Sequence, residues 1–251
     1  LYLIQSAADL LNGGKVDIRI ELEDDLQDIE NNAEFIIQSN PIDESFYLRT
    51  GLIKKYTFDN FVIGENNRFA WAGARAIAEA PGTCYNPFFL YGYVGLGKTH
   101  LMHAIGNEIL KNDPTKKVMY LSCETFVTSV IDSIKDNTMT ELRDKYRNLD
   151  VLMIDDIQFI AGKDRCQEEF FHTFNHLYNS GKHIIISSDR LPNKISNLND
   201  RIRSRLIEGL TCDLKQPDYE TRVAIIKKKI LNDNLDISDE ITDRFGDAPK
   251  S

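Results

Sequence analysis

The stretch Gly92-Tyr93-Val94-Gly95-Leu96-Gly97-Lys98-Thr99 limits the possible folds more than any other part of this chain. It follows an apolar run, Phe88-Phe89-Leu90-Tyr91, and opens the sequence His100-Leu101-Met102-His103-Ala104-Ile105. Strand, glycine-rich turn and helix in that order are the context of a P-loop. The glycines let backbone N–H groups converge on a polyphosphate at the positive end of a new helix. Lys98 would then reach the β- and γ-phosphates of a nucleoside triphosphate, and Thr99 would place its hydroxyl on Mg²⁺.

Downstream, Val118-Met119-Tyr120-Leu121 and Val151-Leu152-Met153-Ile154 read as buried strands, and His183–Ile186 as a third. Between them lie helical stretches around Thr125–Lys135, Met139–Arg147 and Cys166–Tyr178, and a helix from about Asn67 to Ala80 precedes the P-loop. Strands alternating with helices predict a parallel sheet covered on both faces, with ligands at the carboxyl ends of the strands. Asp155-Asp156 close the second strand, the Walker B arrangement. Asp155 is expected on the Mg²⁺ beside Thr99, and Asp156 is directed to water at the γ-phosphate. Asp189 ends the strand begun at His183, where a polar residue can sense that phosphate, although Ser-Asp-Arg-Leu-Pro is also a good turn sequence. Arg201, Arg203 and Arg205 fit either a solvated helix face or a finger reaching into a neighbouring subunit's site. His172 and His176 lie four apart without the His-Glu-x-x-His pattern and read as helix packing, as do Phe170, Phe171 and Phe174.

Composition excludes little. The chain has 251 residues, 42% apolar and 27% charged, enough for one sizeable domain or one with fragments. No apolar run approaches the roughly 20 residues of a membrane span, and no secretory signal opens the chain. The four cysteines form no CxxC pair and read as reduced thiols of a cytoplasmic protein. A net charge of −9 argues against nucleic acid at first sight. Residues 1–50, however, hold eleven acids and three bases, so the other 201 residues are nearly neutral with 28 acids and 27 bases. A local basic surface is compatible with that balance.

Residues 1–12 have helical apolar spacing closed by Gly13-Gly14, and Val16, Ile18, Ile20 and Leu22 alternate like a half-buried strand. A helix and one strand cannot form a core, so residues 1–22 are expected to be the end of another domain. Residues 23–53 read as an acidic linker, 54–215 as the nucleotide-binding core and 216–251 as the start of a further helical segment. A start at Leu1 rather than Met suggests a piece of a longer chain.

These features resemble the DnaA family of bacterial replication initiators, which are AAA+ ATPases with a three-layer α/β/α core. The resemblance is carried by Tyr56-Thr57-Phe58-Asp59-Asn60-Phe61-Val62-Ile63-Gly64, by Gly95–Leu101 and by Ile154-Asp155-Asp156-Ile157-Gln158-Phe159. Gln167-Glu168-Glu169-Phe170-Phe171-His172-Thr173-Phe174-Asn175, Ser188-Asp189-Arg190 and Ser204-Arg205 complete it, and together they cover roughly Lys54 to Leu231. The resemblance implies ATP or ADP with Mg²⁺ as ligands, Asp189 as sensor 1, Arg205 as a finger acting in trans and Arg201 as a second interface arginine. It puts Val62, Ile63 and Asn67 near the adenine and His100 beside the loop. A helical wedge around Ile131–Arg147 would favour an open spiral of subunits, with Ile131 and Arg165 gripping single-stranded origin DNA. Residues 1–22 would belong to the domain that binds the replicative helicase and regulatory partners.

Two departures stand out. Tyr93 occupies a position where the family usually has glycine. After about Asp239-Glu240 the match decays, so the later lid helices, the sensor 2 arginine and the helix-turn-helix that reads origin boxes are not carried over. The expected function is an ATP-binding, slowly hydrolysing module that assembles on origin DNA and helps open it. A regulatory adaptor acting on a full-length initiator, or a helicase loader, are the alternatives.

Overall fold

A computed structural model of the chain describes residues 47–83 and 85–233. The expected helix and strand of residues 1–22, most of the acidic stretch and the end beyond residue 233 lie outside the described residues. Helix α1 is Arg68–Glu79, strand β1 Phe88–Tyr91, helix α2 Lys98–Asn112 and strand β2 Val118–Ser122. Helices α3 (Cys123–Lys135) and α4 (Met139–Arg147) come next, followed by β3 (Val151–Asp155) and α5 (Asp164–Asn179). The described chain ends with β4 (His183–Ser188), α6 (Asp200–Ile207), β5 (Leu210–Asp213) and α7 (Tyr219–Asn232).

All five strands run parallel in the order β2-β3-β4-β1-β5. Helices cover both faces, so the inner strands are enclosed throughout and appear in sequence as unbroken apolar runs. One face packs Leu101, Met102 and Ile105 of α2 with Ala70, Ala74 and Ile77 of α1 against Leu90 and Met153. The other packs Phe126, Tyr146, Phe170 and Phe174 against Ile154 and Ile186. This is the expected three-layer core.

Three details differ from the sequence reading. Strand β5 was not foreseen: Leu-Thr-Cys-Asp is short, lies at an edge, and buries only Cys212. The core also begins before Lys54, because residues 47–50 form a helical turn and Leu52 is buried under α2. A Cβ on Gly106 would lie 2.7 Å from Leu52 Cδ2, so a side chain at that helix position would have to push Leu52 aside. Strands β3 and β4 extend to Asp155 and Ser188, past the apolar runs that marked them.

Helix α4 is pinned to α5 by charge as well as by packing. Glu169 on α5, itself buried, accepts hydrogen bonds from Arg143 at 3.0 and 2.8 Å and from Arg147 at 3.3 Å. A buried carboxylate with bidentate guanidinium support holds geometry well, whereas removal of one partner leaves an uncompensated charge. Helix α7 is capped by Asp218, whose side chain accepts from the Thr221 backbone N–H at 2.8 Å. It approaches the 62–64 loop so closely that a Cβ on Gly64 would meet Thr221 Oγ1 at 2.2 Å.

Two histidines are fully enclosed. Burial pushes both His103 and His183 down to about 4, and the Nε2 of each lacks a partner. Unfolded histidine titrates near about 6.5, so between these values the unfolded chain takes up protons that the native chain refuses. Stability is therefore complete above about pH 6.5 and is lost as pH falls toward 4. Urea unfolding at pH 7 and pH 5 should show roughly 2 kcal/mol of this loss coming from His183. His183→Gln keeps an acceptor for the Gly82 N–H, now met by Nδ1 at 3.0 Å, and should lose correspondingly less. An identical pH dependence in the variant would contradict the assignment.

Candidate functional site

The strand order gathers the polar residues. Because β4 lies between β1 and β3, the P-loop after β1, Asp155-Asp156 at the end of β3 and Ser187-Ser188-Asp189 at the end of β4 meet at one edge. Gly97 turns the chain into α2 with φ of 94°, a left-handed conformation that a side chain would strain. Lys98 is buried and donates to the carbonyls of Gly92 at 2.8 Å and Tyr93 at 3.1 Å. Its ammonium is thus folded back over the loop that it closes.

Asp155 is 5% exposed and is held by three hydroxyls. Thr99 Oγ1 and Tyr120 Oη each donate to Oδ2 at 2.7 Å, and Ser187 Oγ donates to Oδ1. Burial, then the Asp155 charge, raises the Tyr120 hydroxyl pKa, so it stays protonated and a donor. Thr99 and Asp155 present only hard oxygen donors, side by side. Magnesium takes one or two protein oxygens and completes its shell with water and phosphate, so this donor set fits it.

Asp156 adopts φ 57° and ψ 55°, the left-handed region, where a non-glycine residue is uncommon. Its N–H donates to Ser187 Oγ at 2.9 Å, and its Oδ1 accepts from Gln158 Nε2 at 3.0 Å. Gln158 Oε1 in turn accepts from Ser188 Oγ at 3.1 Å and from the Asp189 N–H at 3.3 Å. Asp189 faces Arg190, whose guanidinium hydrogen bond, ahead of its charge, holds that carboxyl below the usual range. A cleft of about 570 Å³ opens here, lined by Tyr91, Gly92, Tyr93, Asp189, Arg190 and Asp213 among others.

Around the rim, the other expected residues take varied positions. Val62 and Ile63 lie in the loop against α7, and Ile63 is exposed. The Asn67 side chain clamps that loop, accepting from the Gly64 N–H at 2.9 Å and donating to the Val62 carbonyl at 3.0 Å. His100 turns away from the phosphate loop: its Nε2 pairs with the Thr57 carbonyl at 2.9 Å and its ring stacks on Tyr56 at 4.9 Å. Burial lowers its pKa, which suits a neutral packing residue. Tyr93 is 76% exposed and is not among the left-handed residues, so the turn carries its side chain into solvent without strain.

Four residues sit away from this edge. Ile131 is exposed on α3 and Arg165 is exposed in the first turn of α5. Arg201 lies 6.0 Å from the Phe171 ring, and Arg205 lies 5.8 Å from the Tyr178 ring while pairing with Glu208 at 2.8 Å. Arg203 differs from both, donating to the carbonyls of Pro192, Ile195 and Leu198 as an internal brace. Sequence reading gave no site role to Tyr120, Gln158 or Ser187. The first two lie inside strings already singled out, but only the adjacency of β3 to β2 and β4 gives all three their partners.

The chain is similar to known proteins in sequence and fold. A family profile described as the bacterial DnaA ATPase domain matches residues 52–213. The chain belongs to the bacterial DnaA family. The chromosomal replication initiator protein DnaA of Caldanaerobacter subterraneus subsp. tengcongensis is 52% identical over 241 residues, covering 96% of this chain and 54% of that protein. The chain thus spans about half the length of the curated relatives it matches. Domain III of the Thermotoga maritima DnaA superposes with a TM-score of 0.76 at 45% identity, covering 78% of this chain and 82% of that one. A DnaA bound to AMPPCP and single-stranded DNA gives a TM-score of 0.72 at 42% identity, covering 78% and 60%. In this DnaA-family chain the P-loop turns Tyr93 out to solvent.

Ser187 is the test of how the site is held together. Ser187→Ala would leave one buried Asp155 oxygen and the Asp156 N–H without a partner, costing about 1–3 kcal/mol. Chemical denaturation of both proteins measures this, and a change below about 0.5 kcal/mol would show that the hydroxyl is not needed.

Proposed function

We propose that this chain is the ATP-binding and slowly hydrolysing module of a replication initiator, which joins other copies on origin DNA when ATP is bound. The observation that carries the reading is the direct Thr99–Asp155 contact beside the lysine-closed P-loop. It assembles phosphate cradle, cation ligands and acid at one edge of the sheet. The DnaA bound to AMPPCP and single-stranded DNA supports the choice of ligands.

On this reading the N–H groups of the Gly92–Thr99 loop cradle the phosphates and Lys98 exchanges the Gly92 and Tyr93 carbonyls for phosphate oxygens. Thr99 and Asp155 hold magnesium, which when bound neutralises charge on the β- and γ-phosphates. Asp156 accepts a proton from the attacking water as that oxygen bonds to the γ-phosphorus and the bond to the bridging oxygen breaks, releasing ADP. Asp189 orders the γ-phosphate end. Val62 and Ile63 border the adenine, while Asn67 shapes their loop and His100 anchors it. Arg205, with Arg201 beside it, reaches the triphosphate of a neighbouring copy. Exposed Ile131 and Arg165 meet single-stranded DNA, and residues 1–22 belong to a domain for helicase or regulatory partners.

Lys98→Ala removes a charge-assisted hydrogen bond worth about 1.5–3 kcal/mol, so ATP affinity should fall about 10- to 100-fold. Calorimetric titration of both proteins decides this, and equal affinities would remove the P-loop assignment. Arg205→Ala should keep ATP affinity yet abolish ATP-dependent assembly. Light scattering with ATP and with ADP reads that difference, and unchanged assembly in the variant would end the finger role.

A further inference from the structure

We propose that Gln158 is a positioning residue for hydrolysis, setting the direction of the Asp156 carboxylate from the end of the sensor strand. The proposal rests on the ATPase reading above and gives a role to a residue that the sequence reading left without one. Its side chain is the only contact described between the Asp156 carboxylate and the β4 terminus, among the described residues.

The geometry is specific to an amide. Gln158 Nε2 donates to Asp156 Oδ1 at 3.0 Å, while Oε1 accepts from the Ser188 hydroxyl at 3.1 Å and the Asp189 N–H at 3.3 Å. One planar group therefore meets a carboxylate with its donor end and two donors with its acceptor end. The backbone presents it firmly. Gln158 sits in the 3-10 turn Ile157–Ile160, and both of those isoleucines are fully buried on either side of it. Ser188 is fully buried as well, so the acceptor end faces a fixed partner.

Asp156 needs such a partner. Its left-handed backbone, at φ 57°, aims the side chain off the line of β3, and the backbone N–H is already bound by Ser187. A carboxylate on a strained turn has two side-chain torsions free unless something meets it. The Gln158 donor occupies one oxygen and leaves the other for a water. Because Oε1 also touches the Asp189 N–H, a shift of Asp189 on meeting a γ-phosphate would move the amide and the carboxylate together. The other charged or titratable groups close to this cluster are Asp155, Tyr120 and Cys123 on the β2–β3 side, with Lys98 and Arg190 by Asp189.

The decisive variants are Gln158→Ala and Gln158→Glu in the full chain, with ATP affinity, turnover and thermal melting measured for each. Gln158→Ala should lower kcat by at least about tenfold and leave the nucleotide Kd within about twofold, because the residue touches carboxylate rather than ligand. Gln158→Glu is nearly isosteric. Ionised, it cannot donate and repels Asp156; protonated, it regains one donor and one acceptor. Its turnover relative to the unaltered protein should therefore rise as pH falls from about 8 to about 6. A residue with a purely structural role would change the melting temperature but not that ratio. Should the alanine variant fail to fold, the pH course of Gln158→Glu decides alone. Unchanged kcat in a folded alanine variant, or a flat ratio near one for Gln158→Glu, overturns the proposal while leaving the ATPase reading intact. Absence of turnover in the unaltered chain overturns both.

Discussion

Burying a carboxylate is costly unless donors meet its oxygens, and Asp155, only 5% exposed, is met by three hydroxyls from three different elements. Thr99 comes from the P-loop helix, Tyr120 from β2 and Ser187 from β4. Each of these positions is set by sheet pairing or by the loop, so the charge acts as a common reference for parts far apart in sequence. Moving any one strand by a residue would turn its hydroxyl to the opposite face. The same constraint explains why β4 must end in serines rather than continue its apolar run. Ser187 serves two masters, the Asp155 oxygen and the Asp156 N–H, and only a small hydroxyl can both donate and accept at full burial.

The P-loop helix is tied down on its other side by aromatic and backbone contacts. His100 holds the Thr57 carbonyl and Tyr56 ring, His103 accepts from the Ile53 N–H at 3.3 Å, and Asn107 donates to Ile53 and Tyr56 at 3.0 and 2.8 Å. Spaced along one side of α2, these three fasten the segment that leads in from the acidic stretch. The His103 ring also lies 4.0 Å from the Tyr120 ring, which links that segment through one side chain to the Asp155 cluster. Phosphate loop, cation ligands and incoming chain are therefore mechanically continuous. The apolar burial supplies adhesion, and these directional contacts supply register.

Much of this was legible in the residues. Doubly covered strands must be apolar throughout, so β1, β2, β3 and β4 announced themselves, and a glycine-rich turn between strand and helix has few other meanings. Strand order was not legible, because nothing local in Val151–Asp155 or His183–Ser188 states which neighbour each will take. Hence Gln158 and Ser187 had no visible partners until β4 lay beside β3. Strand β5 escaped for a different reason: an edge strand of four residues needs little apolar content. His100 shows the opposite limit. The resemblance puts it beside the phosphate loop, and the helical turn carries its ring round toward Thr57.

Arg205 raises a question of distance that the sheet itself answers. The P-loop and Asp189 lie past the carboxyl ends of their strands and Asp155 is the last residue of β3, whereas α6 closes just before β5 begins at Leu210. Arg205 rests on Tyr178, which likewise precedes the start of β4 at His183. Strands of four to six residues separate these two edges. At about 3.3 Å per residue that is roughly 13–20 Å, well beyond the reach of one arginine side chain. An arginine so placed cannot neutralise charge on a triphosphate held by its own P-loop. It either stays paired with Glu208, at the cost of an idle guanidinium, or it faces a second copy whose open edge is presented to it. The same parallel sheet that gathers the P-loop, Asp155 and Asp189 at one edge therefore holds Arg205 at the opposite edge, and strand length alone keeps it from its own P-loop.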